Sequence, residues 1–370
     1  MLSMPRFTLF MGMAVAAAIV AGCNGNNGSV PIPKGSTAPP DSTVSMLKLL
    51  TSQVVIGSTI DPQFGQLNPY GLDVAKATSG KFVKGDLAVC NFNASSNVQG
   101  TGYTIVALHP APGSTPTLVA ADPNTLLGCD ALALGSTNSI WAAAWSSNSN
   151  PVFSPSGQLV TSIKGAPFEH PFGQIFAQPT SGAPVFYESN AGDGTIVRIN
   201  LGATFTFDVI ARGFAVNHGA PGGILAPSGL QYDPRVDTLY IVDGANNTVV
   251  ALANVSSIKA GGVTVGPDGK TFTGPSASQA RLVFAGAPLN GPISSALLFN
   301  GNLVIGNTLD PAGKNLMIEM TPHGVILDVR NVDTGPGGSL FGMVATGTSQ
   351  DDAKIYFNDD NDNNLQVLQR

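Results

Sequence analysis

The chain has 370 residues, a formal net charge of −6 at pH 7, and charged side chains at only 11% of its positions. Its 17 Lys and Arg residues form no cluster, so the basic patch expected of a nucleic-acid-binding protein is missing and we expect no nucleic acid partner. Glycine (44) and proline (27) are abundant, whereas only three of the 23 acidic residues are Glu. Many turn formers and few helix formers predict an all-β protein.

The N-terminus has the pattern of an export signal. Arg6 precedes a 14-residue apolar run, Phe7 to Val20, which is shorter than the roughly 20 residues that a membrane-spanning helix needs. The sequence Val-Ala-Gly-Cys at 20–23 follows and resembles the lipobox of bacterial lipoproteins. That resemblance implies cleavage after Gly22 and lipidation of Cys23. The alternative is ordinary signal cleavage, which would leave Cys23 as a free thiol.

The segment after this cysteine has the composition of a linker. It is rich in Gly, Pro, Ser, Thr and Asn and holds almost no large apolar side chain, so it cannot offset the entropy cost of folding. We interpret residues 1–22 as a signal peptide, 23–45 as a flexible tether and 46–370 as the folded domain. The protein is then exported and lipid-anchored to the bacterial cell envelope, at its periplasmic or outer-membrane face.

The folded region contains a repeated hairpin. The clearest copy, LYIVDGANNTVVALAN at 239–254, has two strand-like runs around an Asp/Gly/Asn turn. Similar hairpins occupy 87–107, 185–199, 302–320 and 354–368, and a weaker one surrounds SIWAAAWSS at 139–147. A proline precedes each of the six: Pro69, Pro123, Pro171, Pro227, Pro292 and Pro336. Their spacings of 54, 48, 56, 65 and 44 residues match one four-stranded sheet with its loops.

Six such units predict a six-bladed β-propeller of four-stranded antiparallel blades, an architecture that leaves only short, protected sheet edges. The last unit ends after its third strand. We expect residues 44–56 to supply the missing strand, so that both ends of the chain join in one blade.

Two families resemble this pattern. The sequence LYIVDGANNTVVAL resembles the NHL repeat, and Pro-Ser-Gly-Leu at 227–230 resembles the start of that repeat. Thr248 departs from it, because the repeat usually carries Arg there. The SMP-30/gluconolactonase-like propellers are similar in their six-bladed shape, and this similarity implies a metal site built from Glu, Asn and Asp.

Candidate site residues follow from the geometry of a propeller, in which the start of each innermost strand and the end of each second strand meet around a central channel. Aligning the units by their prolines places Asn68, Asp122, His170, Ala226, Gly291 and Gly335 at strand starts, and Asn91, Ser146, Glu188, Asp243, Asn307 and Asn358 at strand ends. Of these, Glu188, Asp243 and Asn307 are candidate ligands for Ca²⁺ or another divalent cation, which prefer oxygen ligands. Alternatively, such residues only bond local turn backbone, so no cofactor is certain.

Histidines and cysteines add further candidates. His170, and His218 in the long loop 213–227, could serve as a general base because imidazole titrates near neutrality. Cys90 and Cys129 fall on adjacent predicted blades, and an exported protein meets oxidising conditions, so either a disulfide or two buried thiols can result. The sequence contains no Gly-x-Ser-x-Gly elbow, His-Glu-x-x-His helix or phosphate-binding loop.

These features predict a monomeric, membrane-anchored propeller that acts as a binding scaffold for a protein, glycan or small molecule. The alternative is a metal-dependent hydrolase or lyase, of lactonase or esterase type, with its site at the channel mouth. Whether the protein is an enzyme stays uncertain from sequence.

Overall fold

The structure is a computed structural model that describes residues 43–180 and 182–370. The predicted signal peptide, Cys23 and nearly all of the predicted tether lie outside the described residues. Within them the fold is all-β, with 26 strands in six sheets, one short helix α1 (Met46–Leu49) and two 3₁₀ turns at Val255–Ser257 and Ala277–Gln279. None of the helices in this part of the chain has the length and apolar character needed to cross a membrane.

The six sheets are blades, each with four antiparallel strands ordered from the channel outward. Blade 1 contains β2 (Leu67–Val74), β3 (Leu87–Asn93), β4 (Thr104–Leu108) and β5 (Thr117–Ala121). Blade 2 contains β6 (Cys129–Leu134), β7 (Ile140–Ala144), β8 (Ser149–Phe153) and β9 (Leu159–Lys164). Blade 3 contains β10 (Pro171–Ala177), β11 (Val185–Asn190), β12 (Thr195–Asn200) and β13 (Thr206–Arg212).

The second half of the ring repeats this order. Blade 4 contains β14 (Pro227–Asp233), β15 (Thr238–Asp243), β16 (Thr248–Ala253) and β19 (Ala280–Ala285). Blade 5 contains β20 (Pro292–Leu297), β21 (Leu303–Asn307), β22 (Asn315–Met320) and β23 (Ile326–Asp333). Blade 6 contains β24 (Met343–Thr346), β25 (Lys354–Asp359), β26 (Asn364–Gln369) and, as its outermost strand, β1 (Ser52–Ser58). The predicted six-bladed propeller is confirmed.

An insertion in blade 4 explains the longest proline spacing. Between β16 and β19 the chain leaves its own blade and forms β17 (Val263–Val265) and β18 (Phe272–Thr273). Strand β17 pairs in parallel with β13 at the outer edge of blade 3, which therefore becomes a six-stranded sheet. The insertion covers an edge that would otherwise be free to pair with another chain.

The N-terminal strand closes the ring, as predicted. Strand β1 pairs antiparallel with β26, with Ser52 opposite Gln369 and Val54 opposite Val367. Just before it, α1 and Leu50 bury their apolar side chains in a cluster with Met317 of blade 5 and Phe357 of blade 6. Burying large apolar side chains stabilises the fold by about 1.5–3 kcal/mol each, so the chain start is part of the core.

A single buried acid holds this chain start in place. The carboxyl group of Glu319, on β22, accepts hydrogen bonds from Ser45 Oγ at 2.8 Å, Met46 N at 3.0 Å and Leu47 N at 2.8 Å. Asn302 Nδ2 donates a fourth at 2.9 Å. The first backbone N–H groups of a helix have no partner within it, and Glu319 supplies that partner from a different blade. Ser45, which we assigned to the end of the tether, is itself buried.

The prolines mark the innermost strands in four of the six blades. Pro69, Pro171, Pro227 and Pro292 each pair with the end of the second strand of their blade. In blades 2 and 6 the equivalent positions are Cys129, opposite Ala144, and Leu340, whose N–H donates to Asn358 O. The alignment of Asp122 and Gly335 with strand starts is therefore wrong, because Asp122 instead caps a turn in the preceding loop and Gly335 belongs to the loop after β23.

Glycines on the innermost strands let neighbouring blades approach closely. A Cβ built on Gly173 would lie 1.9 Å from Ser228 O, and one on Gly342 would lie 2.1 Å from Tyr70 O. Any side chain there would push adjacent blades apart. The channel is consequently narrow.

A disulfide joins the first two blades. Cys90 on β3 and Cys129 on β6 are bonded, with their Cα atoms 5.4 Å apart and a sequence separation of 39. The bond anchors the start of β6 to the side of blade 1.

We expect Glu319→Gln to lower the free energy of unfolding by about 2 kcal/mol, because an amide NH₂ would face backbone N–H donors in a buried site. Denaturant unfolding measures this. Asp328→Asn, on the adjacent strand β23, is the matched control and should change stability much less. Equal losses in the two variants would contradict a capping role for Glu319.

The double variant Cys90→Ala/Cys129→Ala should lose up to about 4 kcal/mol of unfolding free energy, since the disulfide no longer restricts a loop of this length in the unfolded chain. Adding reductant to the wild-type protein should produce a similar drop in melting temperature. If neither treatment changes the melting temperature, the two sulfurs do not stabilise the fold as a bonded pair.

Candidate functional site

The innermost strands enclose a small cavity on the propeller axis. Its volume is about 100 Å³, comparable to about three water molecules at liquid density. Every blade contributes side chains to its wall, at equivalent positions: Tyr70, Asp130, Phe172, Ser228, Ile293 and Phe341. Asp130 is the only Asp, Glu, Lys, Arg or His among the residues that line the cavity.

Asp130 is a buried acid without a protein partner. Its side chain is on the second residue of β6, the residue is only 6% exposed, and neither carboxyl oxygen accepts a hydrogen bond from another protein group. Burial raises the pKa of Asp130 well above its usual value, and the nearby Glu188 adds to the rise. The backbone N–H groups of Asp130 and Ala131 lower this pKa in part, although neither forms a hydrogen bond with a carboxyl oxygen of Asp130.

The neighbouring Gln174 also presents an oxygen to the cavity. Its Nε2 donates to Asn150 Oδ1 at 2.6 Å and to Glu188 Oε2 at 3.0 Å, which uses both amide hydrogens. The orientation of the amide is therefore set, and Gln174 Oε1 is left buried without a donor. Across the channel, the hydroxyls of Ser294 and Ser295 are likewise buried and unpaired.

Aromatic rings close one side of the channel. Tyr70 stacks between Phe92, at a centroid distance of 4.2 Å, and Phe341, at 3.6 Å. Its hydroxyl donates to Gln99 Oε1 at 3.4 Å. Burial raises the pKa of Tyr70, and the nearby Asp360 raises it further. The pKa of Asp360 itself is raised to about 7 by burial and by the charge of Asp359.

A long loop covers the channel mouth on the upper face, which we define as the face where the innermost strands begin. This upper-face loop, residues 213–226, buries Ile224 in a cluster with Phe172 and Ile293 from the channel wall. Its tip reaches blade 1, where Gly222 lies against Gln99 and Pro221 against Gly100. The mouth is thus filled by protein.

The two predicted histidines both lie at this face but have different environments. His170 has a left-handed backbone (φ 52°), and its ring stacks on Trp145 at a centroid distance of 4.4 Å. Its Nδ1 is 2.9 Å from Trp145 O, so this nitrogen carries a proton and donates. His218 is exposed on the upper-face loop. No hydrogen bond joins either histidine to Glu188, Asp243 or Asn307.

The three predicted metal ligands are buried and bonded to other partners. Glu188 accepts from Asn150 and Gln174 and lies two residues before the true strand end, Asn190, so its alignment with the other strand ends is wrong. Asp243 accepts from Asn246, and Asn307 bonds Pro288 O and Asn290 N. Within the described ranges, no three His, Cys, Asp or Glu side chains group as a metal would need. The metal site stays a prediction.

Sequence reasoning missed Asp130, because the proline alignment moved the start of blade 2 to Asp122. A usable signal was present. Innermost strands end a few residues before the second strand begins, so counting back from the SIWAAAWSS hairpin identifies CDALAL as the innermost strand. Asp130 then falls at a channel position.

Comparisons with known proteins agree on the fold. No protein-family model matches the chain. No curated protein matches it either. Among solved structures, a gluconolactonase from Xanthomonas campestris is 14% identical with a TM-score of 0.55, covering 90% of this chain and 95% of that one. A nidogen/laminin complex is 14% identical with a TM-score of 0.53, covering 77% and 87%.

A third similar structure is a catalytically inactive virginiamycin B lyase from Staphylococcus aureus with quinupristin. It is 14% identical, with a TM-score of 0.50 and coverage of 86% of this chain and 98% of that one. At such identities the likeness shows the fold alone. The chain is a six-bladed β-propeller whose distant structural neighbours include a lactonase and a lyase, and propellers serve many unrelated functions.

Glu188 should make stability depend on pH. Burial raises its pKa from 4.5 to about 8, so the folded protein retains a proton that the unfolded chain releases. The resulting contribution to stability is complete below about pH 4.5 and declines as pH rises to about 8, by up to roughly 5 kcal/mol.

Denaturant unfolding from pH 4.5 to 8 should therefore show a shallower loss of stability in Glu188→Gln than in the wild type. Glu169→Gln, an exposed glutamate before the same blade, controls for removal of one carboxyl group. If the wild type and Glu188→Gln lose the same free energy of unfolding over this pH range, the pKa of Glu188 does not differ between the folded and unfolded states.

Proposed function

We propose that this protein is an exported, lipid-anchored six-bladed propeller whose upper face serves as a binding scaffold. The observation that carries this proposal is the position of the chain start. Asn300 and Asn302, in the turn between β20 and β21, donate to Val44 O at 3.4 Å. This turn is on the lower face, where the innermost strands end. The tether thus leaves the face opposite the upper-face loop.

An anchor at Cys23 would orient the propeller relative to a membrane. About 20 residues separate Cys23 from Thr43. A flexible chain of this length has a typical end-to-end distance of roughly 25 Å and a maximum near roughly 70 Å. A lipid on Cys23 would hold the lower face toward the bilayer. The upper face would point toward partners in the surrounding compartment.

Apolar side chains are exposed on the upper face beside the covered mouth. Ile60 and Phe64 project from the loop before β2, and Val98 projects from the loop between β3 and β4. The two loops touch, since Gly65 lies against Ser95 and Phe64 packs on Tyr103 at a centroid distance of 5.8 Å. A rigid surface with exposed aromatic and aliphatic side chains is typical of binding sites.

The second candidate, a metal-dependent hydrolase or lyase at the channel mouth, is favoured by the lactonase and lyase among the similar structures. It has weaker support from the geometry. The upper-face loop fills the mouth with Ile224, and the three candidate ligands use their polar atoms on other partners.

Anchoring is tested by expression of the full chain with its own leader in a bacterial host. The wild type should fractionate with membranes and carry acyl chains on Cys23 by mass spectrometry, while Cys23→Ala should move to the soluble envelope fraction. A wild-type protein that is cleaved but unacylated would overturn the anchor and leave Cys23 a free thiol.

Binding at the upper face is tested with a photo-crosslinking amino acid placed at Phe64 or Val98, and at the exposed lower-face residues Val236 or Val325 as matched controls. Both upper positions should capture one common envelope component, and a Phe64→Asp/Val98→Asp variant should lose its binding. Equal capture from both faces would contradict the proposal. Lactone or ester turnover that disappears in Asp243→Ala would favour the enzyme instead.

A further inference from the structure

We propose that the channel cavity binds one small monovalent cation, an alkali-metal ion or ammonium, beside Asp130. This site goes beyond the proposed function, because it lies inside the ring and would form whatever binds the upper face. Its wall includes Asp130 on blade 2, Gln174 on blade 3 and Ser295 on blade 5.

The unsatisfied atoms of the cavity wall are all oxygens. Both oxygens of Asp130, Oε1 of Gln174 and Oγ of Ser295 are buried and have no protein partner. No Lys, Arg or His lines the cavity. A buried acceptor without a donor destabilises the fold, so an occupant of the cavity must bring positive charge or hydrogen-bond donors.

The remaining polar side chains of the wall already form hydrogen bonds with protein groups. Their partners determine which atoms are left to face a ligand. Ser228 Oγ donates to Ile293 O at 2.9 Å, and Gln231 Nε2 donates to Ser295 O at 2.8 Å. Gln174 cannot rotate its NH₂ group into the cavity without breaking two hydrogen bonds to Asn150 and Glu188. The acceptor character of the site is therefore imposed by its surroundings.

Charge and size select the kind of cation. One carboxyl group faces the cavity, whereas protein calcium sites normally use several carboxylates among six to eight oxygen ligands. A volume of about 100 Å³ holds an ion with one or two waters.

The first test measures melting temperatures of the full chain in chlorides of potassium, sodium, ammonium and N-methylglucamine at equal ionic strength and neutral pH. At least one of the three small cations should raise the melting temperature in a saturable manner relative to N-methylglucamine, which is too large for the cavity. Asp130→Asn should abolish this ion-specific rise. Asp243→Asn, a buried acid outside the cavity wall, is the matched control and should retain it.

Ser295→Ala provides a second variant if Asp130→Asn fails to fold. It keeps the charge and removes one oxygen, so half-maximal stabilisation should require a several-fold higher ion concentration. Crystals soaked in thallium(I), which replaces potassium, should show an anomalous peak next to Asp130.

Two results would overturn the proposal. The first is an identical melting temperature in all four chlorides together with only water density beside Asp130, which would mean that the acid is neutral and hydrated. The second is stabilisation by micromolar calcium that chelator reverses and Asp130→Asn removes, which would make the site a divalent one.

Discussion

The pairing of β1 with β26 is the contact on which the rest of the structure depends. A propeller blade packs only against its two neighbours, so a missing outer strand in blade 6 would leave one unpaired edge beside the point where the ring closes. The chain prevents this by returning its N-terminal segment to the C-terminal blade. Glu319 secures that return, because its carboxyl group binds the start of α1 and ties the first described residues to blade 5, the neighbour of the closing blade.

Closure of the ring also determines the character of the channel. The innermost strands approach so closely at Gly173 and Gly342 that little more than a few waters' volume is left on the axis. One unpartnered carboxyl group in this small interior space has stronger electrostatic interactions than the same group would have on the surface, because the protein interior screens charge poorly. Asp130 is this group, and the disulfide at Cys129 holds the strand that carries it.

The two faces of the ring have different roles in this arrangement. The lower face receives the chain from its N-terminal segment, and the upper face carries the loop that fills the channel mouth and the exposed side chains of Ile60, Phe64 and Val98. The proposed binding surface is the outside of the upper face. The cation site proposed within the channel uses oxygens of the channel wall and not the exposed side chains of the upper face, so the two proposals can fail independently.

Much of the architecture could be read from the sequence, because turn residues and β-branched runs are local signals. They determined the all-β class, the six repeats and the contribution of residues 44–56 to the last blade. Local signals could not align blades 2 and 6, where Cys129 and Leu340 replace the usual proline, and so Asp130 was missed. Hydrogen-bond partners from other blades, such as Asn150 for Glu188, depend on packing between distant segments. Only the tertiary structure decided which acids are paired and which one faces the channel.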